Sequence, residues 1–528
     1  MHERTTPHTI FSLEEILSII FCCYGACTDS SGRPAVDKGT LASLARTCRS
    51  FHAPALDVLY SHTDMACLVQ TMSSDLWYRD RMTLYFHRPM DPQDWNNFYH
   101  YSRRVRILQT WSGFGISKGI YQTLSHPPNN ISKIFPKLVG LRVQNTVDHE
   151  FISLLVTRNL TSILLSFDEG DDVATNILPS LPSTCPHLRR IKLSGSMRLK
   201  VKKTIHATSA YEVLCKIPFL ETILCSEVVM SAKILSHIAC LSSLKEVDLT
   251  LPVYPLEEIE SNRNTFPALQ KLILSSSTPR SCLQLLESVT SPSLETIHIR
   301  ASSMFSEEVS RKIYAVLSPF KSLTHITILQ YPSGDPPRGY GVYPDLLNPL
   351  LNLHNLQHLR MCSESMYSVD DEVLGQMASA WPRLEVLDLW QPKEWPAVPR
   401  TTLPGIIPLL RCCPKLHFLG MVFDATQPIA DLSTYDTCNS DISLDLDVGI
   451  SPIADPPLVA AFLSFATPNL RSLIVADTFG MNSILEEDGT KWGQVKQIIG
   501  VKTDTRRYST NPIMLNLQRT LGMLSSLD

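Results

Sequence analysis

The sequence predicts an α/β solenoid preceded by a small three-helix module. Two observations predict it. First, a phrase of the form Pro-x-Leu-x-x-Leu-x-Leu returns along the chain. It reads FPKLVGLRV at Pro136, CPHLRRIKL at Pro186, IPFLETILC at Pro218, FPALQKLIL at Pro267, SPSLETIHI at Pro292, WPRLEVLDL at Pro382, CPKLHFLGM at Pro414 and TPNLRSLIV at Pro468. Weaker copies start at Asn159, Ser243, Lys321 and Asn355. Self-similarity at a period of about 20 to 30 residues marks stacked units, none of which buries its apolar face alone. Second, the N-terminal segment lacks the phrase and carries helical periodicity instead.

The first helix follows Ser12-Leu13-Glu14-Glu15, which has the form of a capping box. Leu13, Ile16, Leu17, Ile20 and Phe21 then form one apolar stripe at i, i+3, i+4, i+7 and i+8. A polar loop runs from Thr28 to Gly39. Thr40 is placed to cap a second helix, with Leu41, Leu44, Ala45 and Cys48 on one face. Pro54 suits the first turn of a third, which carries Leu56, Leu59 and Tyr60. Three short helices in about 50 residues hold little core, so such a module leans on a partner.

In each repeat the last two apolar positions are two residues apart, as in Ile191 and Leu193, Leu272 and Leu274, and Leu387 and Leu389. That spacing is one face of a short strand. The preceding Pro suits the turn into a strand, where no ladder N–H is needed. Between the strands lie segments of helical spacing, such as Ala232, Leu235, Ile238 and Ala239, or Val373, Leu374, Met377 and Ala378.

This pattern resembles the leucine-rich-repeat family. The first Leu-type position falls at Leu138, Leu160, Leu188, Leu220, Leu244, Leu269, Leu294, Leu323, Leu356, Leu384 and Leu416, with a degenerate unit at Leu444 and Leu446, then Leu470. A divergent first unit is expected at Val105 and Ile107. The resemblance implies a leucine-rich-repeat solenoid of about 12–14 irregular units. The chain departs from the family pattern just past the strand, where Ser196, Ser277, Ser302, Asp424 and Thr478 stand in place of Asn or Cys. A regular Asn ladder is therefore not expected.

The segment FSLEEILSIIF, followed by LASLARTCRSFHAPALDVLY, resembles the F-box, above all the fungal form followed by leucine-rich repeats. Glu15, Ile16, Leu17 and Ile20 match its first helix, Leu44, Cys48, Arg49 and Phe51 its second, and Pro54, Ala55, Leu56, Leu59 and Tyr60 its third. Glu14 replaces the usual Pro, and the first loop is longer than usual. The expected organisation is a tail over 1–10, the F-box-like module over 11–65, a linker over 66–100, the solenoid over 101–476, and a cap or tail over 477–528.

The 528 residues are 44% hydrophobic and 19% charged, which excludes general disorder. A net charge of −4 gives no global pull toward nucleic acid or anionic membrane. No apolar run reaches the length of a membrane span. The stretch from Ile16 to Ala26 follows Glu14 and Glu15, where a signal peptide carries positive charge. Fourteen Cys residues occur without paired spacing, several at core-type positions such as Cys48 and Cys225. These features predict an intracellular, non-secreted protein with structural thiols.

Gly115-Ile116-Ser117-Lys118-Gly119 matches the G-x-S-x-G nucleophile elbow. An α/β-hydrolase would also need a doubly wound sheet with an acid and a His at loop ends, and a repeat array supplies neither. In a repeat array the motif is a glycine-rich loop joining units. His149-Glu150 lacks the second His of a zinc helix, and Cys22, Cys23, Cys27, Cys412 and Cys413 lack chelating spacing. No catalytic residue, metal site or cofactor is expected.

Residues between the apolar strand positions face the concave side of a solenoid, where such arrays bind. The middle units place His298, Arg300, His325, Thr327, His358, Arg360, Asp388 and Trp390 there. His325 and His358 hold equivalent positions, so they are expected about 5 Å apart, one strand spacing. A basic run of Arg189, Arg190, Lys192, Arg198, Lys200, Lys202 and Lys203 follows the acidic Asp168, Glu169, Asp171 and Asp172.

The F-box resemblance implies a substrate receptor of a cullin-RING ubiquitin ligase of the SCF type. Leu13, Ile16, Leu17, Ile20, Phe21, Leu44, Cys48, Phe51 and Leu56 would then bind a Skp-type adaptor and, through it, a cullin. The repeat face, at His298, Arg300, His325, His358, Arg360, Asp388 and Trp390, would hold a target protein. The alternatives are a repeat scaffold outside any ligase and a hydrolase using Ser117.

Overall fold

The computed structural model describes residues 14–24, 27–28, 34–35, 37–110, 114–129, 131–143, 151–167, 177–195, 213–253, 265–303, 305–330, 345–362, 369–390, 399–429, 442–476 and 483–500. They form two compact units, a first running to Val228 and a second from Val229.

The first unit opens with three helices, α1 (Glu14–Tyr24), α2 (Lys38–Thr47) and α3 (Arg49–Leu59). Leu17 and Phe21 of α1 close with Leu41 and Ala45 of α2 and Ala55, Leu56 and Val58 of α3 into one small core. Phe21 meets Phe51 edge-on, with ring centroids 5.4 Å apart. Two starts differ from the sequence expectation. Helix α2 begins at Lys38, capped by Asp37 and not by Thr40, because the carboxylate accepts from Thr40 N at 3.0 Å and from Thr40 Oγ1 at 2.6 Å. Helix α3 begins at Arg49, so Pro54 lies inside it. The carbonyl that Pro54 leaves without a helical donor belongs to Ser50, which is exposed to solvent. The expected box at Ser12 lies outside the described residues. Arg104, almost fully buried, pairs with Asp57 of α3 and anchors the module to the chain that follows.

A two-residue antiparallel pair, Cys27–Thr28 with Pro34–Ala35, lies between α1 and α2, and the long sheet of the first unit holds β1 (His62–Asp64), β2 (Ile107–Gln109), β3 (Gly140–Val143), β4 (Ser162–Phe167), β5 (Arg190–Gly195) and β6 (Thr222–Val229). Each pairs in parallel with the next. The repeat ladder therefore starts at His62. Residues 66–100, expected as a linker, hold α4 (Met65–Gln70), an antiparallel hairpin of Trp77–Asp80 with Thr83–Phe86, and α5 (Pro92–Ser102). Helix α5 opens on a reciprocal box in which Asp91 accepts from Asp94 N and Asp94 accepts from Asp91 N. In β2 the residue turned inward is Leu108, fully buried, while Ile107 faces outward. Short helices α6 (Lys118–Leu124), α7 (Ile152–Leu155) and α8 (Leu181–Thr184) connect the strands.

The second unit repeats the plan in nine parallel strands. These are β7 (Glu246–Thr250), β8 (Lys271–Ser276), β9 (Thr296–Ala301), β10 (His325–Gln330), β11 (His358–Cys362), β12 (Val386–Trp390), β13 (Phe418–Gly420), β14 (Leu444–Asp447) and β15 (Leu470–Ile474). Its helices are α9 (Ala232–Ala239), α10 (Pro279–Ser288), α11 (Glu307–Leu317), α12 (Asp371–Ala380), α13 (Ile407–Cys412), α14 (Pro456–Ala466) and α15 (Ser483–Ile499). Ser231, Ser306, Asp370 and Asp455 cap four of them through N–H groups three residues on. The first Leu of every unit from Leu244 to Leu416 is at most 1% exposed, as is each alternate strand residue such as Leu272, Leu274, Leu387 and Leu389. Removing one of these side chains would cost about 2–5 kcal/mol.

Side chains close two of the turns after the strands. Gln330 Oε1 accepts from Phe305 N at 2.8 Å, and Ser451 Oγ accepts from Phe423 N at 2.8 Å. Buried Trp492 of α15 donates its indole N–H to Ser451 O at 2.8 Å, and with Val495 it seals the last unit against α14. The described cysteines are free thiols, and burial pushes those of Cys282 and Cys413 up to about 12. Among the described residues no helix is long and apolar enough to cross a membrane.

Candidate functional site: the outer sheet face and the first helix

On strands β8 to β13 the residues between the buried positions turn away from the core. Strand register sets them in rows. One row runs Lys271, Thr296, His325, His358, Val386 and Phe418, and the next runs Ile273, His298, Thr327, Arg360, Asp388 and Gly420. The expected meeting of His325 and His358 is present, with the rings stacked, centroids 4.2 Å apart and planes 22° apart. Thr324 Oγ1 lies 2.8 Å from His325 Nδ1 and fixes that ring.

Two residues join this patch that the strand pattern did not single out. Glu385 Oε2 lies 3.6 Å from His358 Nε2, and the His417 ring stands edge-on to His358 at 6.5 Å. Both occupy the position just before the strand, where an alternation rule assigns no face. The backbone places them there, with Glu385 N bonding to Gln357 O and His417 N to Glu385 O.

Charge on this face is largely compensated. Arg360 Nε lies 2.9 Å from Asp388 Oδ2, an ion pair whose N–H points off the line between the two atoms. Lys271 Nζ lies 2.8 Å from Glu246. Gly420 makes room for Asp388, since a Cβ there would stand 2.9 Å from its Oδ1. Burial, then the positive charges of Arg300 and Lys271, lower the His298 pKa to about 4. Burial also lowers those of His325 and His358, against the pull of Glu385. His298, His325 and His358 are therefore neutral near pH 7. Arg300 is half-buried at the edge of the patch on β9. Trp390 closes β12, and its side chain lies outside the described residues.

A scan against protein-family models finds no match, and a search of curated proteins finds none. Solved structures do match. The parallel strands, each led by a buried Leu, make the fold a leucine-rich-repeat solenoid. A Listeria monocytogenes internalin aligns at 10% identity and TM-score 0.34 over 83% of this chain and 93% of its own. Rad7, in its yeast complex with Elc1, aligns at 14% identity and TM-score 0.38 over 89% and 90%. Mouse RP105, in complex with MD-1, aligns at 16% identity and TM-score 0.33 over 71% and 55%.

The residues expected to meet an adaptor divide into two sets. Leu17, Phe21 and Leu56 lie in the module's own core, at 1%, 3% and 8% exposure, because the three helices close on one another and use that stripe. Leu44 and Phe51 pack half-buried against the same core. Ile20 and Cys48 are exposed and Ile16 is half-buried, while Leu13 lies outside the described residues. The sequence stripe missed Ile19, which is 66% exposed beside Ile20. An apolar residue on the solvent side of α1 is the available signal for it.

Ser117 follows the strand Gly115–Ile116 and opens α6, so the G-x-S-x-G segment does join strand to helix. Its backbone is ordinary, with φ −69° and ψ 151°, and its N–H bonds to Leu84 O at 3.0 Å. A nucleophile elbow needs a sharp, strained turn at the Ser. Among the described residues that serine has the geometry of a helix start. The described residues also hold no His, Cys, Asp or Glu group able to grip a metal.

Proposed function

We propose that this chain is the substrate-recognition subunit of an SCF-type ubiquitin ligase. Its N-terminal helices bind a Skp-type adaptor, which brings a cullin, and its repeat face holds a target protein. It carries no catalytic group of its own, and transfer of ubiquitin becomes a matter of proximity. The observation that carries the reading is helix α1. One stripe of it builds the module core, while Ile19 lies exposed on the opposite side and Ile20 is exposed at the edge of the stripe. A helix apolar on both sides leaves one side for a partner's groove.

The target side rests on the stacked His325 and His358 with Glu385, Arg360 and Asp388, a rigid polar patch on neighbouring strands. Co-expression with a Skp-type adaptor tests the reading. A one-to-one complex on size exclusion supports it, and a folded chain that never co-elutes makes the protein a repeat scaffold outside any ligase.

A further inference from the structure

The outer face of the first unit differs in charge from that of the second. Arg142 on β3 and Arg190 and Lys192 on β5 are all exposed, and none has an ionic or hydrogen-bond partner among the described residues. The outward strand positions from Ile107 to Ser226 include no carboxylate, and the acid just before β6, Glu221, is already paired with Arg189. On the second unit, by contrast, Arg360 and Lys271 each face an acid. Register then orders the neighbours. Arg142, Leu164, Lys192 and Leu224 form one row, in which cation and apolar side chain alternate at a spacing of about 5 Å. Arg190 stands two residues before Lys192, about 7 Å along the same strand, beside the small Ser162.

We infer that this face of the first unit binds an acidic, partly apolar peptide segment of a partner protein. Three cations without partners attract carboxylates, and the leucines between them give a peptide's apolar side chains a dry contact. Nucleic acid fits less well, because no aromatic ring stands among these outward positions to stack a base. The inference does not depend on the ligase reading, since it concerns another unit and another chemistry.

Fluorescence anisotropy of the full chain tests it, with a short labelled peptide of Glu-Leu-Glu-Thr repeats at low salt. Wild type should bind saturably. The variant Arg142→Ser/Arg190→Ser/Lys192→Ser should bind about tenfold or more weakly with an unchanged thermal melt, since three exposed charge contacts are lost. The control Arg311→Ser/Lys312→Ser, on α11 of the second unit, should bind like wild type. The same peptide with Gln for Glu should not bind. Equal affinity in wild type and the triple variant would overturn the inference. So would tighter, competing binding of a poly-dT oligonucleotide, which would give the surface to nucleic acid.

Discussion

His325 and His358 stack face to face at 4.2 Å, one strand apart, and both titrate below the ordinary histidine range because burial disfavours their charge. Neutral rings can stack so closely, whereas two imidazoliums would repel. His298, one step along the sheet from His325, belongs to the same group, facing Arg300, Lys271, His325 and Arg360.

The consequence is a pH-dependent stability. His298 drops to about 4 in the folded chain, while in the unfolded chain it titrates near its ordinary 6.5. Between those values the unfolded state binds more protons, so stability is full above pH 6.5 and declines as the pH falls toward 4. The loss from His298 alone amounts to at most about 3 kcal/mol. Urea unfolding at pH 7 and pH 5 should show the decline, and His298→Asn should lessen it, with His325 and His358 supplying the rest.

Two glycines should answer to alanine with opposite signs. At Gly405 a Cβ would come 2.0 Å from Asp371 Oδ1, the carboxylate that accepts from Thr402 N at 2.8 Å and Thr402 Oγ1 at 2.6 Å. Gly405→Ala must break that clamp and should destabilise by about 2 kcal/mol. Gly375 lies inside α12 with nothing within 4 Å of its would-be Cβ, so Gly375→Ala should stabilise by about 0.5–1 kcal/mol. Denaturant midpoints measure both.

The Arg360–Asp388 pair should matter little to folding. Arg360 is 37% exposed, so solvent screens the attraction and Asp388→Asn should cost under about 1 kcal/mol. A stability loss of several kcal/mol would mean the pair holds the sheet together.

Stability separates a capping residue from Ser117, which opens its helix without a side-chain cap bond. The Asp370 side chain accepts from Val373 N at 3.0 Å, and Asp370→Ala should cost about 1 kcal/mol. Ser117 makes no side-chain cap bond, so Ser117→Ala should stay within about 0.5 kcal/mol. Ester turnover by wild type that Ser117→Ala abolishes would revive the hydrolase reading.

The repeat strands were legible because the Leu spacing states which residues face inward, and strand register follows from stacking identical units. The stack of His325 on His358 followed from that same register. What escaped had a physical reason. The hairpin Trp77–Phe86 turns through Arg81 at φ 51°, a position usually marked by Gly or Asn, so no turn signal announced it. The start of α3 was hidden because Cys48 caps it with no side-chain bond, while Pro54 advertised a start five residues late. In the module, periodicity gave the apolar stripe of α1 but not what it packs against. Leu17 and Phe21 turned inward on their own helices, which left Ile19 and Ile20 outside.

The most direct test of the ligase account sets Ile20→Asp against wild type in co-expression with a Skp-type adaptor. Ile20 is exposed, so the variant should fold with an unchanged melt, as Leu17→Asp in the core would not. The account predicts a one-to-one complex on size exclusion with wild type and its loss with Ile20→Asp. A complex that survives Ile20→Asp and Ile19→Asp together, or a folded wild type that forms none, would contradict it.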